Sequence, residues 1–303
     1  VKPNAANTRN VDLRGAHRGD AGSIEASDVE AGPSPSPSRW RAYRRIAGFL
    51  ALTLPLMPVQ WVLIRVSPTA ARWFPHWYHR QVCRIIGVRV RVHGEVPRGR
   101  AVLLVANHVS WLDIPVLSAV APVAFVAKTE VGRWPLVGSL VRLQQCVFVD
   151  RTRRVSIGDT ADDMIKRLGE GGSIVLFPEG TSTDGNRVLP FRSSLFAAVG
   201  PALAGVGGFG ADGAAMPLIQ TAALVYTRRD GLPLTWADRR ALGYYGDIGI
   251  GESAISTLGG GPLEVEVRLG PPRPLSDFAD RKALARHAEA EVRAGVRTIM
   301  RGG

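Results

Sequence analysis

The chain has 303 residues, 46% of them hydrophobic, and carries a formal net charge of +12. That apolar fraction supports a substantial core and excludes a wholly disordered protein, while the basic excess points to an anionic partner: a membrane surface, an anionic substrate or nucleic acid. Two cysteines, Cys83 and Cys146, each inside an apolar segment, read as reduced buried thiols, not as a disulfide framework or metal site, and the six histidines show no ligand spacing.

Residues 1–38 are polar and rich in Gly, Ser, Pro and charge, ending in Pro33-Ser34-Pro35-Ser36-Pro37-Ser38. They read as a disordered leader without the hydrophobic core of a signal peptide. Residues 39–86 read as a membrane-anchoring helical segment. Ile46 to Ile64 is a mostly apolar run of nineteen residues, about 28 Å as a helix and just enough to span a bilayer. Pro55 and Pro58 are expected to kink it. Arg39, Arg41, Arg44 and Arg45 precede it and Arg65, Arg72, Arg80 and Arg84 follow. Basic flanks at both ends argue for a segment that dips into one leaflet and returns; a single tilted span is the alternative. Trp40, Trp61, Trp73 and Trp77 lie near the flanks, as in an interfacial belt. Arginines bracketing an apolar run suit anionic lipid head groups better than a DNA groove, so no nucleic-acid partner is expected.

From residue 87 to 303 the pattern becomes α/β. Val88–His93 alternates as an edge strand, and Ala101–Ala106 is continuously apolar, as a buried parallel strand is. Asn107-His108-Val109-Ser110-Trp111-Leu112-Asp113 then leads into a helix running to about Ala119, with Ser110 and Asp113 at capping-box spacing. Val123–Ala127 is a second strand leading into Lys128, residues 129–143 hold a short helix broken by Pro135 and Gly138, and Cys146–Val149 is a third strand ending in Asp150-Arg151. An amphipathic helix over Thr160–Leu168 stops at Gly171-Gly172, and Ser173–Phe177 is a fourth strand. A helix at 194–199 precedes a glycine-rich loop, Gly200–Gly213, and Ile219–Tyr226 is a fifth strand. Residues 227–261 read as irregular and Leu263–Leu269 as a half-exposed strand; the closing helix shows Leu284, Ala288, Val292 and Val296 on one face and a cap near Ser276. Strands alternating with helices mean a mostly parallel sheet with flanking helices.

The chemistry gathers at strand ends. His108 sits on a strand-to-helix loop at the carboxyl end of a buried strand, where open α/β sheets place their sites, and Asp113 can turn its carboxylate back toward the imidazole. A neutral histidine held by a carboxylate is a general base for neutral pH. Phe177-Pro178-Glu179-Gly180-Thr181 ends the fourth strand, with Pro and Gly fixing a sharp turn that forces Glu179 to its lip. Arg151 ends the third strand and Lys128 the second. Base, carboxylates and cations on one rim suit transfer to a polar or anionic acceptor.

Asn107-His108-x-Ser110-Trp111-x-Asp113, followed about seventy residues later by Phe177-Pro178-Glu179-Gly180-Thr181, resembles the glycerolipid acyltransferase family over roughly residues 85–230. The resemblance implies an α/β domain with an amino-terminal membrane anchor. It implies transfer of an acyl chain from acyl-CoA or acyl carrier protein, without a further cofactor, to the hydroxyl of a lysolipid of the 1-acylglycerol-3-phosphate type. It places the enzyme at the cytoplasmic membrane with its site facing the cytosol. His108 is then similar to the family's base and Asp113 to its partner. Phe148 and Arg151 match the second block, Glu179 and Gly180 the third, and Pro217 the fourth. Lys128, Arg151, Glu179, Gly180, Thr181 and Arg192 are the expected acceptor contacts. No nucleophilic Ser or Cys accompanies His108, so no covalent intermediate is expected.

Three places depart from the family pattern, one of them Phe191-Arg192-Ser193-Ser194, where the family usually reads Phe-basic-x-Gly. Gln145 stands where the second block usually has glycine, and Ser182 follows Thr181 where many phosphate-acceptor members carry arginine. Thr181-Ser182-Thr183-Asp184-Gly185-Asn186-Arg187 is similar to the lyso-ornithine-lipid acyltransferase branch, whose acceptor bears an amino-acid head group. Phosphate and amino-acid head groups both stand at this level. A lipid-binding protein that kept the fold without chemistry is the reading of another class; intact His108, Asp113 and Glu179 speak against it.

Overall fold

The computed structural model describes residues 37–149, 156–199, 217–243 and 250–302. The expected leader up to residue 36, the Asp150-Arg151 pair and the glycine-rich stretch lie outside the described residues.

The described chain opens with a helical hairpin. Helix α1 (Arg39–Val66) is capped by Ser38, whose side chain accepts from the Arg41 N–H, and it runs through Pro55 and Pro58 as one helix. The chain turns only at Ser67, which caps α2 (Pro68–Ile86) by accepting from the Ala70 N–H and places Pro68 in the first turn, where its missing N–H costs nothing. The return of the chain is thus made at Ser67 by a second helix, not at Pro55 or Pro58. Gly87, at φ 77°, ends α2 in the left-handed conformation that favours glycine.

The remaining elements, in chain order, are β1 (Val88–His93), β2 (Val102–Ala106), α3 (Asp113–Val120), β3 (Val123–Lys128), a 3₁₀ turn (Thr129–Arg133), α4 (Val137–Leu143) and β4 (Val147–Val149). Next come α5 (Ser156–Gly169), β5 (Ser173–Leu176), a 3₁₀ segment (Ser193–Val199), β6 (Leu218–Arg229), the two-residue β7 (Leu232–Pro233), α6 (Trp236–Leu242) and α7 (Ile250–Gly259). The chain closes with β8 (Leu263–Leu269), β9 (Arg273–Pro274), a 3₁₀ turn (Leu275–Asp277) and α8 (Arg281–Met300).

The sheet runs β1-β8-β6-β2-β5-β3-β4. All neighbours on this path are parallel except β6 and β8. Strand alternation divides the core. Leu104 and Ala106 of β2 face one layer with Val82 and Ile86 of α2 and Val116 and Leu117 of α3. Leu103 and Val105 face the other with Leu168 of α5 and Leu284, Ala288 and Val292 of α8. Full burial of β2 on both faces is why its sequence is a continuous apolar run rather than an alternation.

Two expectations need correction and one is narrowed. The described residues within 227–261 are not irregular: they carry α6 and α7, and Thr235 and Asp238 form the capping box that opens α6. Strand β8 is exposed over only part of its polar face: Glu264 is buried and pairs with Arg91 at 3.0 Å, whereas Arg268 on the same face is exposed. Helix α8 is capped by Asp280, which accepts from the Ala283 N–H at 2.7 Å, while Ser276 belongs to the preceding turn.

Candidate active site

The loop after β2 is built to hold one histidine. Asn107 continues the ladder with its side chain: its amide donates to the Leu224 carbonyl and accepts from the Leu224 N–H, each at 2.9 Å. This imitates a strand peptide one step beyond the last β2–β6 pair, Ala106 and Ala222. His108 Nδ1 then lies 2.8 Å from Asp113 Oδ2. The same carboxylate oxygen accepts the backbone N–H groups of Val109 at 2.6 Å and Ser110 at 2.9 Å. Asp113 is fully buried, while the His108 side chain keeps 23% of its surface exposed. Bonding at Nδ1 selects the tautomer that leaves Nε2 to face a substrate.

Only half of the expected capping box forms. Asp113 takes the Ser110 N–H, but the Ser110 hydroxyl is buried without a partner among the described residues. Asp113 turns back toward the loop and the imidazole, so the helix start is organised around His108.

Two contacts were not legible in the motif. The His108 ring stacks on Phe177, with centroids 4.2 Å apart and planes 18° from parallel. Tyr226 of β6 donates its hydroxyl to Asp113 Oδ1 at 2.7 Å. The sequence signal for Phe177 was its place beside Pro178; for Tyr226 it was only a polar-tipped aromatic directly after the apolar run Ala222–Val225.

Glu179 is buried, 1% exposed, not on the lip of its turn. One carboxylate oxygen accepts the His108 N–H and the other the Leu189 N–H, each at 3.0 Å. Burial pushes its carboxyl up to about 7, against the pull of those two N–H donors. Gly180, at φ 75°, closes the turn, its N–H donating to the Phe177 carbonyl at 3.2 Å. The exposed Arg192 lies over it: a β-carbon on Gly180 would stand 3.5 Å from the Arg192 side chain. Thr181 is exposed.

Beyond Thr181 a strap crosses the base loop. Thr183 donates its N–H, at 2.9 Å, and its hydroxyl, at 3.2 Å, to the His108 carbonyl. Gly185, at φ 73°, packs so closely that a β-carbon there would reach 3.0 Å from Val109. Asn186 anchors the strap to α6, donating to the Trp236 carbonyl and accepting from Arg239 Nε at 2.9 Å. The stretch read as irregular therefore supplies the strap's far anchor.

Lys128 ends β3 opposite Val149 of β4, and Arg151 lies outside the described residues. Gln145 adopts φ 55°, the left-handed conformation that explains why glycine is the usual residue at the matching family position.

A partly exposed histidine with a buried carboxylate at its back, at the end of a strand in an α/β sheet, is the arrangement that acid–base transfer chemistry uses. A family model described as Acyltransferase matches residues 89–208. The chain is 40% identical over 251 residues to a lyso-ornithine lipid O-acyltransferase of Rhizobium meliloti, covering 83% of this chain and 84% of that protein. It is 39% identical over 262 residues to the Brucella abortus protein of the same name, covering 86% and 96%. A 1-acyl-sn-glycerol-3-phosphate acyltransferase of Neisseria gonorrhoeae is 40% identical over 112 residues, 37% of this chain and 43% of that one. The chain belongs to the glycerolipid acyltransferase family, and it is an acyltransferase. The crystal structure of the acyltransferase PlsC from Thermotoga maritima shares the fold, with a TM-score of 0.62 at 20% identity over 86% of this chain and 94% of that one.

Proposed function

We propose that this enzyme is a membrane-attached lyso-ornithine-lipid O-acyltransferase in which His108 is the general base. The observation that carries the chemistry is the His108–Asp113 pair. With Nδ1 engaged, Nε2 accepts the proton of the acceptor hydroxyl as that oxygen attacks the thioester carbonyl of acyl-CoA or acyl carrier protein. Asp113 steadies the imidazolium without taking its proton. Collapse of the tetrahedral intermediate expels the thiolate, which recovers the proton from Nε2, so the base is regenerated and no acyl-enzyme forms.

Glu179 acts here by holding loops, not by touching the acceptor: both its oxygens are spent on backbone N–H groups of the base loop and the strap. The acceptor choice rests on similarity along most of both chains to lyso-ornithine lipid O-acyltransferases, against a shorter match to the 1-acyl-sn-glycerol-3-phosphate enzyme. The strap supports it. Ser182 stands where an arginine would grip phosphate, and acidic Asp184 follows the residue bonded to His108. Lys128, Arg151 and Arg192 are left to meet the head-group carboxylate.

Membrane attachment is supported by α1, which is long and apolar enough to cross a bilayer, and by the exposed Trp40, Trp61, Trp73 and Trp77 of the hairpin. The catalytic face is assigned to the cytosolic side, where acyl donors are made.

An assay with labelled donor and two acceptors, a lyso-ornithine lipid and lysophosphatidic acid, tests the reading. We expect preferential acylation of the first and a fall of about 10²–10⁴ in rate for His108→Ala. Preference for lysophosphatidic acid would overturn the acceptor assignment, and wild-type turnover in His108→Ala would overturn the mechanism.

A further inference from the structure

We propose that Tyr226 is a positioning residue that sets the proton affinity of the base, by holding the Asp113 carboxylate from the side opposite His108. The proposal rests on the reading of His108 as general base.

The two oxygens of Asp113 have different neighbours. Oδ2 accepts three N–H groups, from the His108 ring, Val109 and Ser110. Among the described residues, Oδ1 accepts from the Tyr226 hydroxyl at 2.7 Å. Both residues are buried, so water cannot stand in for that hydroxyl. The mount is rigid. Tyr226 lies on β6 between β2 and β8, and its ring shares the core layer of α2 and α3. Two residues earlier on the same strand, the Leu224 backbone grips Asn107. Strand β6 therefore holds the base loop at its start through a peptide group and at its end through a phenol. Strand periodicity puts Leu224 and Tyr226 on the same face of the sheet.

Among the described residues, the titratable groups that interact with the pair or with the phenol include the Tyr226 phenol itself from β6, the Cys83 thiol from α2, and the Glu179 carboxyl from the turn after β5. Burial, then the Asp113 carboxylate, holds the phenol well above its usual range, so it stays a donor. A donor on Oδ1 draws negative charge away from Oδ2. Without it the carboxylate holds the imidazolium proton more tightly, or takes up a proton itself. Either route leaves less neutral, oriented imidazole at a given pH, so both displace the acid limb of the rate profile upward.

The test is the pH profile of kcat/KM for the acceptor, measured on the full detergent-solubilised chain with acyl-CoA or acyl carrier protein as donor. A bond to a charged group is worth enough to move a titration by about one unit. In Tyr226→Phe we therefore expect the acid limb to rise by about one pH unit. Activity should fall about tenfold well below the limb and stay within roughly threefold of wild type well above it. Incorporating 3-fluorotyrosine at position 226, which sharpens the donor while keeping the packing, should move the limb the other way. If Tyr226→Phe fails to fold, the fluorinated chain decides alone by the direction of its shift. A limb that stays in place, with activity lowered equally at every pH or not at all, overturns the proposal and leaves Tyr226 a core tyrosine. His108→Ala separates the two readings: an active variant removes the base mechanism itself, whereas an inactive one beside an unmoved limb removes only the role of Tyr226.

Discussion

Helices α1 and α8 show opposite designs. Helix α8 buries Leu284, Ala288, Val292, Val296 and Ile299 and turns Arg286 and Arg297 outward, as a helix facing water does. Helix α1 has Arg45, Thr53 and Gln60 among its most buried residues and exposes Leu54, Val59, Trp61 and Val62. Its inward polar groups are pins: Arg45 donates to the Leu258 and Gly260 carbonyls, Thr53 bonds the Tyr78 hydroxyl at 2.7 Å, and Gln60 donates to the Ala71 and Leu143 carbonyls. Partly buried Ile46, Phe49, Leu52 and Leu56 add apolar contact. The contrast is what the proposed membrane attachment of α1 requires. Hydrocarbon around a helix gives no drive to bury leucine, so a helix placed there is held by packing and hydrogen bonds, whereas water drives the apolar stripe of α8 inward.

The same substitution should separate the two. Leu284→Ala, at a fully buried site, is expected to cost about 2–5 kcal/mol by chemical denaturation in detergent. An equal loss on cutting back α1's exposed leucine would make α1 an ordinary core helix and break the contrast.

The buried carboxyl of Glu179 is an inward polar group of another kind. Its folded-state value is raised from 4.5 to about 7, so the folded chain binds this proton more tightly than the unfolded chain. Its contribution therefore favours the fold below about pH 4.5 and is lost as pH rises to about 7. Across that window the loss is on the order of 3 kcal/mol. Glu179→Gln should flatten this slope in stability measured against pH. An unchanged slope would mean that the two N–H donors keep the group ionised.

Smaller effects follow in α1. Gln60→Ala leaves the Ala71 and Leu143 carbonyls without their side-chain donor and should cost about 1–2 kcal/mol, read as a lowered Tm in detergent. Leu54→Ala, at a residue 54% exposed, should change stability in detergent by less than about 0.5 kcal/mol. It should weaken partition into anionic vesicles roughly tenfold in a flotation assay. Unaltered partition would remove Leu54 from the membrane face.

Much of this site could be read from local sequence because its parts are local. His108 and Asp113 are five residues apart on one loop, and the buried β2 announced itself by its unbroken apolar run. The burial of Glu179 could not be read that way, because its two partners, His108 and Leu189, come from different segments. The same holds for α6: Thr235 and Asp238 carried its capping signal, but only the bond from Arg239 to Asn186 gives that helix a place in the site.

The sequence by itself determined His108 with its carboxylate partner, the mostly parallel sheet and the apolar amino-terminal helical segment. Each of these follows from residue chemistry over a few positions: an acid within reach of an imidazole, side-chain period, apolar length. Tertiary structure decided which way the buried carboxyl of Glu179 points, that Phe177 stacks on the base, and that Tyr226 completes the bonding of Asp113. Those contacts join residues about 70 to over 110 positions apart. They exist because β5 and β6 flank β2 in the sheet, an order that no local pattern encodes.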